Sequence, residues 1–313
     1  MSAQAVEVEP GGTPDLVATE TPDRYPTRRV AEVKLLPREE PTVWGQPSDG
    51  PFDAETLAGF DADGFLTVED LIDAAEVAAY GAEMRRLAVD PRFMADSRTV
   101  VDHDTQEVRS IFEVHKISEV FGNLANDPRL VDLARQILGS EVYVHQSRVT
   151  FRPGFSSNDF YWHSDFETWH AEDGMPGMRA VGISIALTPD LVYNGGRMIM
   201  PGSHKTFVPC ITESASDRYE WSLAGQEIGM PDAEHVSTLA NRHGIRLFTG
   251  PAGSATVFDS NCMHGSNGNI TPYPRSNVFI VYNSVQNTLV EPYAATSRRP
   301  DFIAARDFTP VTC

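Results

Sequence analysis

Two side chains that can bind a metal ion, His163 and Asp165, lie two positions apart in the segment 160–176, FYWHSDFETWHAEDGMP. In an extended strand, residues i and i+2 point to the same face, so both groups can approach one ion. His264, in the later segment NCMHGSN, is the candidate third ligand. Two imidazoles and one carboxylate form the facial triad of non-haem Fe(II) oxygenases, which leaves coordination positions open. We therefore predict that His163, Asp165 and His264 are catalytic metal ligands.

The composition limits the classes of partner. The chain has 313 residues, with 44 acidic and 25 basic side chains and a formal charge of −19. A nucleic-acid-binding protein normally carries a basic surface, so we expect no nucleic-acid partner. We find no long apolar run and no basic, apolar leader, so we expect neither a membrane span nor a signal peptide. The three cysteines predict no disulfide framework, and together these observations favour a cytoplasmic protein.

Helical patterns precede strand patterns along the chain. Residues 1–23 are rich in proline and acidic residues and are expected to be disordered, and the stretch from about Arg24 is expected to lie extended over the surface. Helical periodicity covers about 53–139, and short strands follow over about 141–290, within one domain of residues 24–313. This order predicts helices packed outside a β core. The candidate strands are 142–152, 179–188, 197–200, 254–258 and 276–284.

Two of these strands would place polar side chains on one face. Alternation along 275–283 puts Arg275, Asn277 and Phe279 on the same side. Alternation along 142–152 does the same for a second set of residues: Gln146, Arg148, Thr150 and Arg152. A face of this kind is exposed to water or lines a polar cavity, and composition does not separate the two cases.

Several long segments resemble one enzyme family. They are 108–116 (VRSIFEVHK), 143–148 (YVHQSR), 160–176, 194–205 (NGGRMIMPGSHK) and 264–292. From about Arg24 to Tyr293 the chain resembles the ectoine hydroxylases, which belong to the phytanoyl-CoA-hydroxylase-like Fe(II)/2-oxoglutarate dioxygenases. The resemblance implies a mainly β fold with flanking helices and a double-stranded β-helix (jelly-roll, cupin-like) core. It also implies hydroxylation of ectoine to 5-hydroxyectoine, with Fe(II), 2-oxoglutarate and O2, in a homodimer.

The resemblance also implies roles for further residues. Arg275 would hold the distal carboxylate of 2-oxoglutarate, since a guanidinium can grip a carboxylate with two hydrogen bonds. Arg152 would assist, although the family usually has lysine there. Asp165 favours hydroxylation, because related halogenases replace this carboxylate with a small residue. The expected ectoine contacts are Gln146, Arg148, Trp169, Phe258, Asn277 and Phe279.

Two other functions remain open at this point. The first is a sister hydroxylase that acts on another small zwitterion or cyclic amino acid. The second is a non-catalytic metal-binding β-barrel, which the open triad argues against because structural metal sites are normally closed. Four polar residues after Asp165 (Glu167, His170, Glu172 and Asp173) are expected to order the adjacent loop through hydrogen bonds. Cys262 is interpreted as a small buried hydrophobic residue rather than a metal ligand.

Overall fold

The computed structural model describes residues 23–102, 106–155, 159–211 and 229–313. Almost all of the segment expected to be disordered, residues 1–23, lies outside these ranges, so the domain boundary at residue 24 stays a prediction. No helix of the described residues is both long and apolar enough to span a membrane.

Six of the eight α-helices in the described ranges precede residue 141, as predicted, but three strands of the larger sheet lie among them, where the sequence patterns do not predict them: Phe65–Val68, Thr99–Val101 and Val108–Phe112. The helices of the described residues are α1 (Ala54–Asp63), α2 (Ala74–Val89), α3 (Pro91–Met94), α4 (Val114–Ile117), α5 (Glu119–Ala125), α6 (Pro128–Leu138), α7 (Asp165–Thr168) and α8 (Ala233–His243). Their starts follow capping chemistry. Asp53, Asp73 and Asp127 each accept a hydrogen bond from a backbone N–H of the first turn. Pro128 then opens α6 and Gly139, with φ 57°, ends it.

The strands form two main antiparallel sheets. They are β1 (Leu36–Pro37), β2 (Phe65–Val68), β3 (Thr99–Val101), β4 (Val108–Phe112), β5 (Val142–Arg152), β6 (Phe160–His163), β7 (Ala180–Ala186), β8 (Arg197–Ile199), β9 (Thr206–Phe207), β10 (Arg246–Leu247), β11 (Ala255–Asp259), β12 (His264–Ser266) and β13 (Arg275–Ser284). The larger sheet has the order β2-β11-β7-β13-β5-β4-β3, and the smaller has β10-β8-β12-β6. This is the mainly β architecture with flanking helices that the sequence predicts.

Helices cover one face of the larger sheet, and the functional cavity lies on the other. Phe60, Leu87 and Leu130 from the helices pack in one core cluster with Ile183 and Ile280 of β7 and β13. Every residue of β7 and β13 is buried, because both faces of these central strands are covered. A second cluster on the opposite face contains aromatic side chains: Tyr25, Phe166, Phe207, Phe258 and Phe279.

Strand β5 has the predicted bounds but contains an irregularity. Val281 of β13 pairs with Gln146, whereas the next residue, Tyr282, pairs with Val144, so His145 is left over as the extra residue of a β-bulge. A bulge bends the strand and re-aims the side chains beside it. Sequence alternation alone does not reveal this change.

The segment that begins at Arg24 departs from the prediction of an extended surface stretch. Tyr25 and Arg28 are buried, and Thr27 is buried between them and accepts a hydrogen bond from the backbone N–H of Cys210. Arg28 also has φ 60°, a left-handed conformation that is uncommon for residues other than glycine. The N-terminal segment is therefore an integral part of the packing around β6 and α7.

Candidate active site

The structure brings the three predicted metal ligands together. His163 of β6 pairs in register with His264 of β12, and their ring centroids are 4.2 Å apart. Asp165 is not on the strand as predicted: β6 ends at His163, Ser164 caps α7, and Asp165 is the first helical residue. Ser164 is still extended, so the spacing of two residues keeps Asp165 beside the imidazoles. One ligand atom from each residue lies within 4.8 Å of the others.

The hydrogen bonds around this group suit metal binding. Nδ1 of His163 lies 2.7 Å from the carbonyl oxygen of Tyr161, and Nδ1 of His264 lies 3.0 Å from that of Cys262. Each ring therefore donates through Nδ1 and presents Nε2 to Asp165, as metal-binding histidines commonly do. The Nε2-to-carboxylate distances of 3.8 and 4.0 Å are too long for hydrogen bonds.

Two further observations support the fit to a divalent metal. Oδ2 of Asp165 is buried and has no hydrogen-bond partner within the described residues. Burial lowers the pKa of His163 and lowers that of His264 to about 3, so both imidazoles are neutral and available as ligands near pH 7. Cys262 does not join the group: its buried Sγ donates to the carbonyl oxygen of Gly64 at 3.1 Å.

A cavity opens from the metal group between the two sheets. The smaller sheet contributes Phe160, His163, Arg197, His264, Gly265 and Ser266, and the larger sheet contributes Ser110, Arg148, Thr150, Arg152, Phe258, Arg275, Asn277 and Phe279. Four of these side chains are guanidiniums, and the carboxylate of Asp165 is next to the cavity. The site is therefore strongly cationic even though the whole chain is acidic.

Two of these guanidiniums, those of Arg148 and Arg275, form no ion pair with an acidic side chain among the described residues. Burial lowers the pKa of Arg148 to about 10, and burial together with the nearby charge of Arg197 lowers that of Arg275 to about 10. Both remain protonated near pH 7. The Nε atoms of Arg148 and Arg275 are buried without a hydrogen-bond partner among the described residues. Unpaired buried donors are costly, so this cavity is suited to an anionic ligand that accepts from them.

Residues 60–277 match the sequence pattern of the phytanoyl-CoA dioxygenase (PhyH) family. An ectoine dioxygenase from Streptomyces avermitilis is 60% identical over 290 residues, which cover 92% of this chain and 98% of that protein. The chain belongs to the phytanoyl-CoA dioxygenase family. Within the family it groups with the ectoine dioxygenases, as the sequence motifs predict.

Solved structures of this family confirm the jelly-roll core. EctD from S. alaskensis with 2-oxoglutarate and 5-hydroxyectoine has a TM-score of 0.84 and 44% identity, covering 93% of this chain and 97% of that one. The same enzyme with bound Fe has a TM-score of 0.83 and 44% identity, with 93% and 98% coverage. The predicted fold class is therefore correct.

Several residues with predicted ligand contacts line the cavity: Arg148, Arg152, Phe258, Arg275, Asn277 and Phe279. Polar residues of β5 thus face a cavity rather than water. Arg152 and Arg275 pair directly across β5 and β13, and Nδ2 of Asn277 donates to Oγ of Ser184 at 3.0 Å.

The two phenylalanines form one wall, with rings stacked at 5.7 Å between centroids. Gly182 permits this stacking, because a Cβ there would lie 2.9 Å from the ring of Phe279. Cζ of Arg148 lies 4.8 Å from the Phe279 centroid. The face of Phe279 is therefore already in a cation–π contact with a guanidinium of the same chain.

Gln146 and Trp169 are not among the residues that line this cavity. Nε2 of Gln146 donates to the carbonyl oxygen of Ile303 at 2.8 Å, which ties the bulged strand to the C-terminal segment. Trp169 is buried and packs edge-on against His145, at 4.9 Å between ring centroids. Their predicted contacts with ectoine stay predictions.

The residue types and spacing did not predict several lining residues: Ser110, Phe160, Arg197 and Ser266. Arg197 is the most consequential of these because it brings a fourth charge. It faces the cavity because β8 pairs with β12, which sets Arg197 opposite Ser266. The segment NGGRM offers a local signal, an isolated arginine in an apolar strand. Its position opposite β12 depends on long-range pairing.

A second group of buried charges lies next to α7. The guanidinium of Arg28 donates to both carboxylate oxygens of Glu167, at 2.9 and 2.8 Å, and also to Glu172. Arg299 donates to both carboxylate oxygens of Asp173, at 2.7 and 2.5 Å. These five residues, which we call the buried ion network, hold the helical segment that follows Asp165, α7 and the π-helix Trp169–Asp173. His170 is fixed separately, with Nδ1 2.8 Å from the carbonyl oxygen of Met175. These polar residues make the predicted hydrogen bonds, but the segment that they order is helical rather than a loop.

Proposed function

We propose that this chain hydroxylates ectoine to 5-hydroxyectoine, using Fe(II), O2 and 2-oxoglutarate and releasing succinate and CO2. The observation that carries the proposal is the group of His163, Asp165 and His264, whose ligand atoms lie within 4.8 Å at the end of a cationic cavity. The relatives named ectoine dioxygenase support the substrate, since the one from Streptomyces avermitilis shares 60% of its residues with this chain.

In this proposal His163, Asp165 and His264 hold the iron through two Nε2 atoms and one carboxylate. The bound iron supplies the oxidising chemistry that replaces a C–H bond of the substrate with C–OH. The protein residues orient the ligands and limit access of water. The carbonyl oxygens of Tyr161 and Cys262 fix the two rings in the tautomer that leaves Nε2 free.

Arg275 and Arg152 are the proposed partners of 2-oxoglutarate. Arg275 is 4% exposed and its Nε is an unpartnered buried donor, so a carboxylate there would satisfy it. Arg152 lies opposite Arg275 in the register, and one of its Nη atoms donates to the carbonyl oxygen of Asn267 at 3.2 Å. A dicarboxylate that reaches from the metal group toward these arginines would be held at both ends.

Ectoine combines a carboxylate with a delocalised amidinium. Arg148 and Asn277 are the proposed partners of the carboxylate, and Phe258 and Phe279 provide the apolar wall beside His264, with 5.2 Å between the Phe258 and His264 centroids. In this proposal, Arg148 leaves the face of Phe279 when it binds the carboxylate, and the ring is then available to the amidinium. Gln146 and Trp169 remain proposed substrate contacts on the strength of the family resemblance.

Mass spectrometry of ectoine incubated with the protein, Fe(II), 2-oxoglutarate and air tests the proposal. We expect a product with one additional oxygen atom and an equal amount of succinate. Asp165→Asn should abolish both, whereas Asp61→Asn, which changes an exposed acid, should leave both unchanged. Oxygen transfer to proline or another cyclic amino acid, but not to ectoine, would indicate the sister hydroxylase. Tight metal binding without succinate release would indicate the non-catalytic barrel.

A homodimer and a cytoplasmic location are further proposals. The dimer rests on the family resemblance, and the location rests on the sparse cysteines without a disulfide framework. Light scattering coupled to size-exclusion chromatography would give the mass of the assembly directly. A mass near that of one chain, 34.5 kDa, would exclude the dimer.

A further inference from the structure

The cavity contains one more guanidinium than the proposed ligand contacts require. Arg275 and Arg152 are proposed to hold 2-oxoglutarate, and Arg148 is proposed to hold the carboxylate of ectoine. Arg197 lines the same cavity and has none of these roles. Arg197 is half-buried, and desolvation disfavours the charge of a cation that an anion does not balance.

Arg197 lies close to the metal group. Strand pairing sets it opposite Ser266, two residues beyond the ligand His264 and about 6.5 Å farther along the strand. Its Cζ is 5.7 Å from the centroid of Phe258, whose ring packs against His264. The guanidinium therefore belongs to the smaller sheet, whereas Arg275, which lines the same cavity, belongs to the larger sheet.

Arg197 is poorly compensated. Its side chain makes no hydrogen bond or ion pair with any residue in the described part of the chain, and only its backbone is bonded, to strand β12 and to the N–H of Phe248. Its nearest acids are Asp190 and Asp165, and they act on it only at longer range. Arg275 feels the charge of Arg197 more strongly than that of any other group, and this repulsion adds to burial in lowering the pKa of Arg275. Two guanidiniums that line one cavity from different sheets, neither in an ion pair and both acted on by Asp190 only at longer range, favour an anion between them.

We propose that Arg197 is a second guanidinium for the distal carboxylate of 2-oxoglutarate, opposite Arg275. This inference rests on the proposed function. The smaller sheet contributes Arg197 and the larger sheet contributes Arg275, so the carboxylate accepts hydrogen bonds from both sides. Arg197 is then a binding residue that raises the preference for a dicarboxylate over a monocarboxylate co-substrate.

Calorimetric titration without O2, in the presence of Fe(II), tests this contact. The probes are 2-oxoglutarate and 2-oxovalerate, which has a methyl group where 2-oxoglutarate has its distal carboxylate. Arg197→Leu should weaken 2-oxoglutarate binding by about tenfold to a hundredfold, the usual effect of losing a charge-assisted hydrogen bond. Binding of 2-oxovalerate should change by less than about threefold, since it lacks the group that Arg197 contacts. Arg197→Lys should recover part of the loss.

Arg246→Leu is the matched control. Arg246 lies on β10, the strand next to β8, and its side chain is 60% exposed. We expect this variant to bind both probes as the unmodified protein does. The melting temperature without ligand should be unchanged or higher in Arg197→Leu, because the change removes a repulsion with Arg275. A lower melting temperature would instead assign Arg197 a structural role.

The outcomes separate this inference from the proposed function. Unmodified protein that prefers 2-oxoglutarate to 2-oxovalerate supports the proposed function. Arg197→Leu that keeps this preference then overturns the role of Arg197 alone. An equal loss for both probes, or a loss confined to ectoine binding, also overturns it. Unmodified protein that binds neither probe removes the proposed function and the inference together.

Discussion

Two groups of arginines lie near Asp165, and they differ in how their charges are matched. In the buried ion network, Arg28 and Arg299 face Glu167, Glu172 and Asp173, and both guanidiniums make paired hydrogen bonds to a carboxylate. In the cavity, Arg148, Arg197 and Arg275 have no ion pair with any described residue.

This difference shows that an arginine inside the protein can have one of two roles, to stabilise the fold or to bind a ligand. A paired arginine holds a segment of backbone in place, here the helical segment that begins at Asp165. Removing it would leave its carboxylate partners buried without a cation, which is very unfavourable. An arginine without an acidic partner does not stabilise the ligand-free fold, because its N–H donors gain hydrogen-bond acceptors only when an anionic ligand binds. Substitutions should therefore destabilise the fold in the first group and weaken ligand binding in the second.

Arg28→Leu should have the largest effect. It leaves Glu167 and Glu172 buried without their cation, and breaking a buried pair in this way costs about 3–5 kcal/mol. Urea unfolding monitored by circular dichroism would measure the loss. Lys34→Leu is the control from the same segment, because its ion pair with Glu32 is 76% and 77% exposed and should contribute less than about 1 kcal/mol. Equal effects of the two substitutions would remove the distinction between buried and exposed ion pairs.

Glu167→Gln should have a smaller effect that depends on pH. Burial alone would raise the pKa of Glu167, but the charge and hydrogen bonds of Arg28 outweigh burial and lower it. Its contribution is therefore complete above the unfolded-state pKa of about 4.3 and is lost as the pH falls through the lower folded-state value. We expect a cost of about 2–3 kcal/mol at pH 7, which shrinks in acid. Unfolding measured from pH 7 to pH 3 would test this, and a cost that stays constant would contradict it.

Arg275→Leu should change the unfolding free energy by less than about 1 kcal/mol, or raise it, because this guanidinium has no partnering acid in the described chain. Binding of 2-oxoglutarate should nevertheless weaken by about tenfold to a hundredfold. Thermal melts with and without 2-oxoglutarate measure both quantities on one sample. A large loss of stability in the ligand-free protein would place Arg275 with the paired arginines.

Arg246→Leu should have the smallest effect. Its ion pair with Asp63 is solvent-exposed, with 60% and 36% of the two side chains accessible. Exposed pairs contribute little, so we expect a change within about 0.5 kcal/mol in unfolding and none in ligand binding. Measurements at low and high salt would reveal any residual contribution. A cost comparable with that of Arg28→Leu would show that burial is not what separates the two classes.

Much of the core architecture and metal group could be predicted from sequence. The β5 bounds of 142–152 and the common face of Arg275, Asn277 and Phe279 follow from short-range alternation, which operates within one strand. The metal group could be predicted because an imidazole and a carboxylate at i and i+2 remain neighbours even though β6 ends between them.

The remaining features depend on contacts between distant segments. Arg197 faces the cavity because β8 pairs with β12, and Arg28 is buried because the N-terminal segment folds against α7. Gln146 lies beside the β-bulge at His145, and a bulge re-aims side chains without a local sequence signal. Patterns within short windows do not contain this information.

The cavity lies at the seam between two sheets that meet through few backbone contacts of their own. His163 and His264 belong to the four-stranded sheet, whereas Arg275 and Asn277 belong to the seven-stranded sheet. A small molecule that contacts both sheets links them to each other. Ligand binding would restrict the relative motion of strands that are distant in the chain. We therefore expect the ligand-bound protein to be more rigid than the ligand-free protein.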